Sequence, residues 1–394
     1  MQQNQAKPET IAALAGVRAI PPLLIILYHF GEGHHYSGLH DFDRLIARGY
    51  LWVEFFFVLS GFILTYVYGA RRDTLLAPRA WMRFVMTRLI RLYPLHLAML
   101  LLIGGLVLFY RGMADAGGYV SIFDLPYHQD ISAKGLALSL LLVHAWNTMD
   151  WLTWNGVSWF VSVEFALCLL FPLLLWLLRA SAVRAAAFVA VGVAGLTLLG
   201  MASPHGLDIT FHNGVLRGLS DFAAGMGMAV LVGKAKARGC IPTFVHSALQ
   251  AVVFGLLVLV VFRTGWAHTH FDIFTVLPLM LLVPLLAFDR GFLASFFKAP
   301  PLQKLGEWSY AIYMGQTFWL LTIRYCEQRL YPPPDTLIFG LRFSTLAWGL
   351  EPALLVIVCV LWGALLAKTV EHPAASRLRR RLDPGRAAAP SFSS

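Results

Sequence analysis

Apolar runs long enough to cross a hydrocarbon core of about 30 Å recur from one end of this chain to the other, and that repetition leaves few folds open. They lie near 19–33, 48–69, 92–110, 134–146, 157–178, 185–203, 215–232, 244–262, 272–288, 306–325 and 348–368. Backbone polar groups facing lipid must be satisfied within their own segment, so runs of this length are read as helices. No stretch between them is large enough for a separate soluble domain. The sequence therefore predicts an all-α integral membrane protein, with an N-terminal segment 1–17, a membrane domain 18–370 and a basic tail 371–394. Charged residues make up only 13% of the chain, about half the share usual in soluble domains.

Orientation follows from Lys and Arg. The basic connectors are Arg71 to Arg91, Arg179 to Arg184, Lys234 to Arg238, Arg290 to Lys304 and the tail Arg377 to Arg386. If all face the cytoplasm, the spans between them come in pairs. Three runs between Arg91 and Arg179 break this parity. The shortest, 134–146, contains His144 and is read as a re-entrant or interfacial segment, a conformation tolerated where protein shields the backbone. About ten transmembrane helices remain, with both termini cytoplasmic. The N-terminus has no basic segment ahead of a cleavable core, so the first span is expected to act as an uncleaved anchor.

Composition excludes other classes. The net charge of +10 sits in short loops beside apolar runs, where it sets topology, and nucleic acid is not expected as a partner. The four cysteines (Cys168, Cys240, Cys326, Cys359) have neither metal-ligand nor disulfide spacing. His34, His35 and His40 share a loop with Asp41 and Asp43, and His268 and His270 lie in another. No HxH or HExxH pattern organises the first group, and His268 and His270, which flank Thr269, are discounted in the same way as residues of a solvated loop, so no metal is expected.

Ionisable groups inside hydrocarbon cost about 2.5–3.5 kcal/mol on insertion scales and are functional candidates by default. Arg18 and His29, eleven residues apart, would lie about 20° from eclipsed on a helix and about 16 Å apart along it. Pro21 and Pro22 complicate that geometry, and a snorkelling Arg with a hydrogen-bonded core His is the plainer alternative. Glu54 lies among aromatics in Trp52-Val53-Glu54-Phe55-Phe56-Phe57, where a carboxylate needs a partner; a histidine is the partner expected. Arg88 and Arg91 share a helical face and suit phosphate, although ordinary positive-inside topology also accounts for them. Arg217 opens another run. Trp159, Ser162 and Glu164 follow Ser158 in Asn155-Gly156-Val157-Ser158-Trp159-Phe160-Val161-Ser162-Val163-Glu164. Tyr310, Tyr313 and Gln316 fall toward one side of a late span.

Together these patches resemble the acyltransferase-3 family of bacterial membrane O-acyltransferases. The matching features are Arg18 with His29, the Glu54–Phe62 segment against V-E-x-F-F-V-L-S-G-F, and Arg88-Leu-Ile-Arg91-Leu-Tyr93-Pro94 against R-x-x-R-x-Y-P. Asn155 through Glu164 is similar to N-x-x-x-W-S-L-S-x-E, Ser309 to Tyr313 to S-Y-x-x-Y-L, and Glu371-His372-Pro373 to a closing E-x-P. The order is kept and nearly the whole chain is covered. Gln316 stands where the family often has His, and Phe160 where it has Ser.

The resemblance implies an enzyme of the bacterial cytoplasmic (inner) membrane. It would move an acyl group, acetyl by expectation, from acyl-CoA (acetyl-CoA) to a hydroxyl of a surface polysaccharide or lipid-linked glycan. His29 would act as base and Glu54 would orient it. Arg18, Arg88 and Arg91 would hold the cofactor's phosphates, with Trp159, Ser162, Glu164, Tyr310 and Tyr313 lining the acceptor side or bracing it. A transporter or flippase of a lipid-linked sugar is the alternative, though the chain shows no internal repeat to favour it. Oligomeric state is left open, a homo-oligomer included.

Overall fold

The computed structural model describes residues 10–31, 44, 46–117, 129–239, 241–264, 271–330, 337–338 and 341–382. The loops carrying His34, His35, His40, Asp41 and Asp43, and those carrying His268 and His270, lie outside the described residues, as does Cys240. Helices in chain order are α1 (Ala12–Val17), α2 (Ile20–Gly31), α3 (Trp52–Tyr68), α4 (Pro78–Gly117), α5 (Ala133–Leu140), α6 (Trp159–Leu178), α7 (Ala182–Ala202), α8 (Gly214–Arg238), α9 (Thr243–Thr264), α10 (Asp272–Ala287), α11 (Phe292–Phe297), α12 (Pro300–Leu330), α13 (Phe343–Leu366) and α14 (His372–Leu382). Among the described residues, eight helical segments are long and apolar enough to cross a membrane. With the shorter apolar α10 and the 31-residue α12, the layout is the all-α, roughly ten-span membrane protein that the sequence predicts.

Local chemistry sets the ends of these elements. Arg18 and Ala19 form a turn between α1 and α2, so the straight helix imagined from Arg18 to His29 is interrupted at its start. Pro21 and Pro22 fall in the first turn of α2, where the missing N–H groups would have had no helical partner. Ser132 and Ser181 cap α5 and α7 by accepting the N–H groups of Gly135 and Arg184. Arg179, in the left-handed conformation (φ 46°), ends α6.

Small residues let the central helices approach closely, as is usual where apolar burial cannot distinguish protein from lipid. A side chain at Gly61 of α3 would collide with the Phe222 carbonyl of α8, and one at Gly225 of α8 with the Val58 carbonyl of α3. This crossing brings Glu54 and Arg217 within reach.

Helices α4 and α6 run antiparallel. The rings of Phe84 and Phe171 meet at 5.1 Å, and Arg88 reaches Glu164. The end of α6 at Arg179 therefore shares a side with the start of α4, so only two crossings separate them and 134–146 does not span. It forms α5 and an irregular turn in which Leu142 has φ 59°. The same side holds the 289–304 connector, since the start of α1 is tied there by Ala13 N–H to Asp289 (2.9 Å) and by Gln303 to the Ala12 carbonyl (2.9 Å).

Candidate active site

The arginines singled out in the sequence converge near the end that gathers the basic connectors. Arg88 of α4 donates from Nη2 to Glu164 Oε1 of α6 at 3.1 Å, and Ser60 of α3 donates to the same oxygen at 2.6 Å. The Arg88 side chain keeps 17% exposure while Glu164 is buried. Arg91 interacts electrostatically with Arg18, Arg88 and Glu371, and Arg18 with Glu371 and Arg88. Glu371 ends a π-helical turn, Ala367–Glu371, that joins α13 to the basic α14, and its Oε2 is buried without a hydrogen-bond partner. π-Turns of this kind recur at functional sites. Three guanidiniums from two regions of the chain therefore face two carboxylates, one of which is already engaged by Ser60. This donor set suits the phosphates of a nucleotide-bearing substrate, which guanidinium groups recognise through paired N–H donors.

Tyr310 and Tyr313, one turn apart on α12, tie this cluster to the start of α6. Tyr310 donates to the Leu92 carbonyl at 2.7 Å, beside Arg91, and Tyr313 to the Val157 carbonyl at 3.0 Å. Gln316 turns back to the Tyr313 carbonyl of its own helix at 2.9 Å. Phe160, at the other departure from the family pattern, stacks on Phe57 at 4.7 Å.

Glu54 differs from expectation. Both of its oxygens accept from Arg217, at 2.9 Å from Nε and 2.7 Å from Nη2, with the two side chains fully buried. Arg217 also donates to the Ile209 carbonyl at 2.8 Å and lies 5.1 Å from the centre of the Trp159 ring. The physical reason is charge: a carboxylate deep in an apolar helix is best matched by a permanent cation with a planar fork of donors. Glu54 is thus committed to Arg217 rather than to orienting His29. His29 lies half-buried on α2, its ring 5.2 Å from that of Tyr28, whose hydroxyl donates to Asp208 at 3.3 Å.

Ser162 fastens the irregular segment. Its hydroxyl accepts from Ala145 N–H at 3.1 Å and donates to the Leu142 carbonyl at 2.9 Å, while Trp146 donates to the Ser162 carbonyl at 2.9 Å. Sequence reasoning gave too little weight to four residues here. Arg217 was visible as a charge in an apolar run, but its partner was not. Asp221, one turn further along α8, is buried with neither carboxylate oxygen hydrogen-bonded. His96 and His144 stack in parallel, 6.2 Å apart and 9° from coplanar orientation. Only His144 stood out beforehand, as a polar residue in a run too short to span. Among the described residues no group of three or more His, Cys, Asp or Glu is placed to hold a metal ion.

Fold and site together define a multi-pass membrane protein with an anion-receptive arginine cluster inside its helical bundle. The chain belongs to the acyltransferase-3 family: residues 11–368 match the family model described as an acyltransferase domain. It is 27% identical to the acyltransferase MdmB of Streptomyces mycarofaciens, covering 94% of this chain and 93% of the relative. A second relative, protein 2 in the picA locus of Rhizobium radiobacter, is 31% identical over 42% of this chain and 78% of its own length. No solved structure matches significantly. The chain is thus a membrane acyltransferase by family.

Proposed function

We propose that this acyltransferase takes an acetyl group from acetyl-CoA on the cytoplasmic side of the bacterial inner membrane and places it on a hydroxyl of a surface polysaccharide or lipid-linked glycan. The observation that carries the donor half is the convergence of Arg18 and Arg91 on Glu371, with Arg88 close to both arginines, at the basic end of the bundle. Phosphates of the donor would bind Arg18 and Arg91, while Arg88 stays braced by Glu164. Exposed charges gain little from pairing; guanidiniums withdrawn from water and short of anions gain more.

His29 supplies the base for the acceptor. Its imidazole takes the hydroxyl proton as the oxygen attacks the thioester or acyl carbonyl, a role typically contributing about 10²–10⁴-fold. Glu54 serves this chemistry indirectly, by holding α3 against α8 through Arg217. Trp159, Ser162, Tyr310 and Tyr313 brace the start of α6 beside the acceptor side.

The test uses the purified full chain in nanodiscs with labelled acetyl-CoA, comparing wild type, His29→Ala and Arg91→Ala. Release of free CoA by wild type, its loss in His29→Ala, and a raised acetyl-CoA KM in Arg91→Ala are expected. Normal turnover by His29→Ala would remove the histidine from the mechanism. Absence of CoA binding by wild type would remove the donor.

A further inference from the structure

His144 is not used by any of the steps above, yet it is placed as a base. Its Nε2 lies 3.1 Å from the Ser158 hydroxyl oxygen, with Ser158 fully buried and His144 4% exposed. Ser158 closes a 3-10 turn, Gly156–Ser158, that runs directly into α6, and its hydroxyl is given to the imidazole. The imidazole is held by a segment containing left-handed Leu142 (φ 59°) and Asn147 (φ 58°). Backbone in that region costs on the order of 1–3 kcal/mol per residue and persists only where its surroundings enforce it; Ser162 does so on both sides of the turn. Beside His144 stands His96, whose Nε2 meets the Ser139 carbonyl at 2.9 Å. The second ring nitrogen of each histidine is buried and without a hydrogen-bond partner.

We propose that Ser158 carries the acyl group as an ester between donor and acceptor, with His144 as its base. The proposal rests on the acyl-CoA reading above and adds a covalent intermediate to it. Position supports it. Ser158 lies six residues from Glu164, the partner of Arg88, and therefore about 9 Å further along α6 from the arginine cluster. Tyr310 beside Arg91 and Tyr313 beside Val157 mark the same path along α12. A donor whose phosphates rest on the arginines would reach Ser158 with its extended thioester arm.

The step balances without a further reactant. In the tautomer with Nδ1 protonated, His144 Nε2 takes the proton of Ser158 Oγ as that oxygen bonds to the thioester carbonyl carbon. The C–S bond breaks, and the departing CoA thiolate takes the proton back from His144. The acceptor hydroxyl then gives its proton to His29 as its oxygen attacks the ester carbonyl carbon. The C–O bond to Ser158 breaks, and the same proton passes from His29 to the departing Ser158 Oγ, which leaves both imidazoles neutral. Burial keeps water from the ester in the interval.

The test is acceptor-free incubation of the full chain in nanodiscs with radiolabelled acetyl-CoA, read by retained label, intact mass and free CoA. Wild type should gain one acetyl group on the peptide containing Ser158. Ser158→Ala should retain none and release CoA about 10²–10⁴-fold more slowly. Ser158→Cys should retain label that neutral hydroxylamine removes, as a thioester requires and a serine ester does not. His144→Gln should slow labelling while leaving binding of CoA itself unchanged. CoA binding and release by wild type with no label on the protein, or with label elsewhere, would overturn this proposal alone. No binding of CoA to wild type would overturn the donor reading, and this proposal with it.

Discussion

Arg217 joins α8 to α3 through a single side chain. Its guanidinium is fully buried, satisfies both oxygens of Glu54, donates to the backbone carbonyls of Ile209 and Tyr50, and covers the Trp159 ring. Removing one partner of such a pair leaves the other charge buried and unmatched, which typically costs about 3–5 kcal/mol, whereas replacing both by apolar groups is often neutral. Arg217→Ala should therefore sharply lower the yield and melting temperature of the detergent-solubilised protein. The double variant Glu54→Leu with Arg217→Met should recover most of that loss. Equal damage from the single and double variants would show that the pair does more than neutralise itself. The sequence exposed the need for a partner at Glu54 but not its identity. Glu54 and Arg217 are 163 positions apart, and their meeting depends on glycines at the α3–α8 crossing, whose significance appears only once the helices are packed. Arg18, Arg88 and Arg91 were legible because ionisable groups within or opening apolar runs are functional candidates and their order and spacing resemble a family pattern. The pairing of Ser158 with His144 was not legible, because a serine in an apolar helix is ordinarily inert and the geometry joining the two lies in an irregular turn.

At the scale of elements, the 134–146 segment is the part on which the site depends most. It survives inside the bundle because α6 supplies the hydrogen bonds that a regular helix would have supplied internally. Ser162→Ala would leave the Ala145 N–H without its acceptor and the Leu142 carbonyl without the Ser162 donor, at about 1–3 kcal/mol for each buried group left unsatisfied. The variant should unfold at lower temperature and, because His144 sits between those two anchors, should lose acyl transfer by more than its loss of folded protein explains. Activity per folded molecule equal to wild type would mean that the turn holds its shape without Ser162. The α3–α8 crossing makes a second, independent prediction. Gly225→Leu places a side chain against the Val58 carbonyl, and overpacking of this kind typically costs about 1–3 kcal/mol or more. Folded yield measured by size exclusion should fall, whereas Gly255→Leu on α9, where a Cβ meets nothing nearby, should be tolerated.

For the molecule as a whole, the decisive property is which face carries the arginine cluster. The start of α1, the start of α4, the end of α6 and the 289–304 connector gather at one side, and Arg379 of α14 lies within electrostatic reach of Arg91 there. The loop between α7 and α8, which includes the exposed His205, lies at the far end of those helices. Lys and Arg beside spans are retained in the cytoplasm, so the gathered basic side should face inward, where acyl-CoA is made and where its charged nucleotide would meet the arginines without crossing the bilayer. Alkaline phosphatase fused after His205 should be active, and the same reporter fused after Leu382 should be silent. The same logic explains why 134–146 must turn back: one more crossing would carry Arg179 and Arg184 outward with the rest of the chain behind them. If the reporter is active after Leu382 instead, the arginine cluster opens to the outside, beyond the reach of cytoplasmic acyl-CoA. The donor would then have to be an acylated molecule already on the outer face.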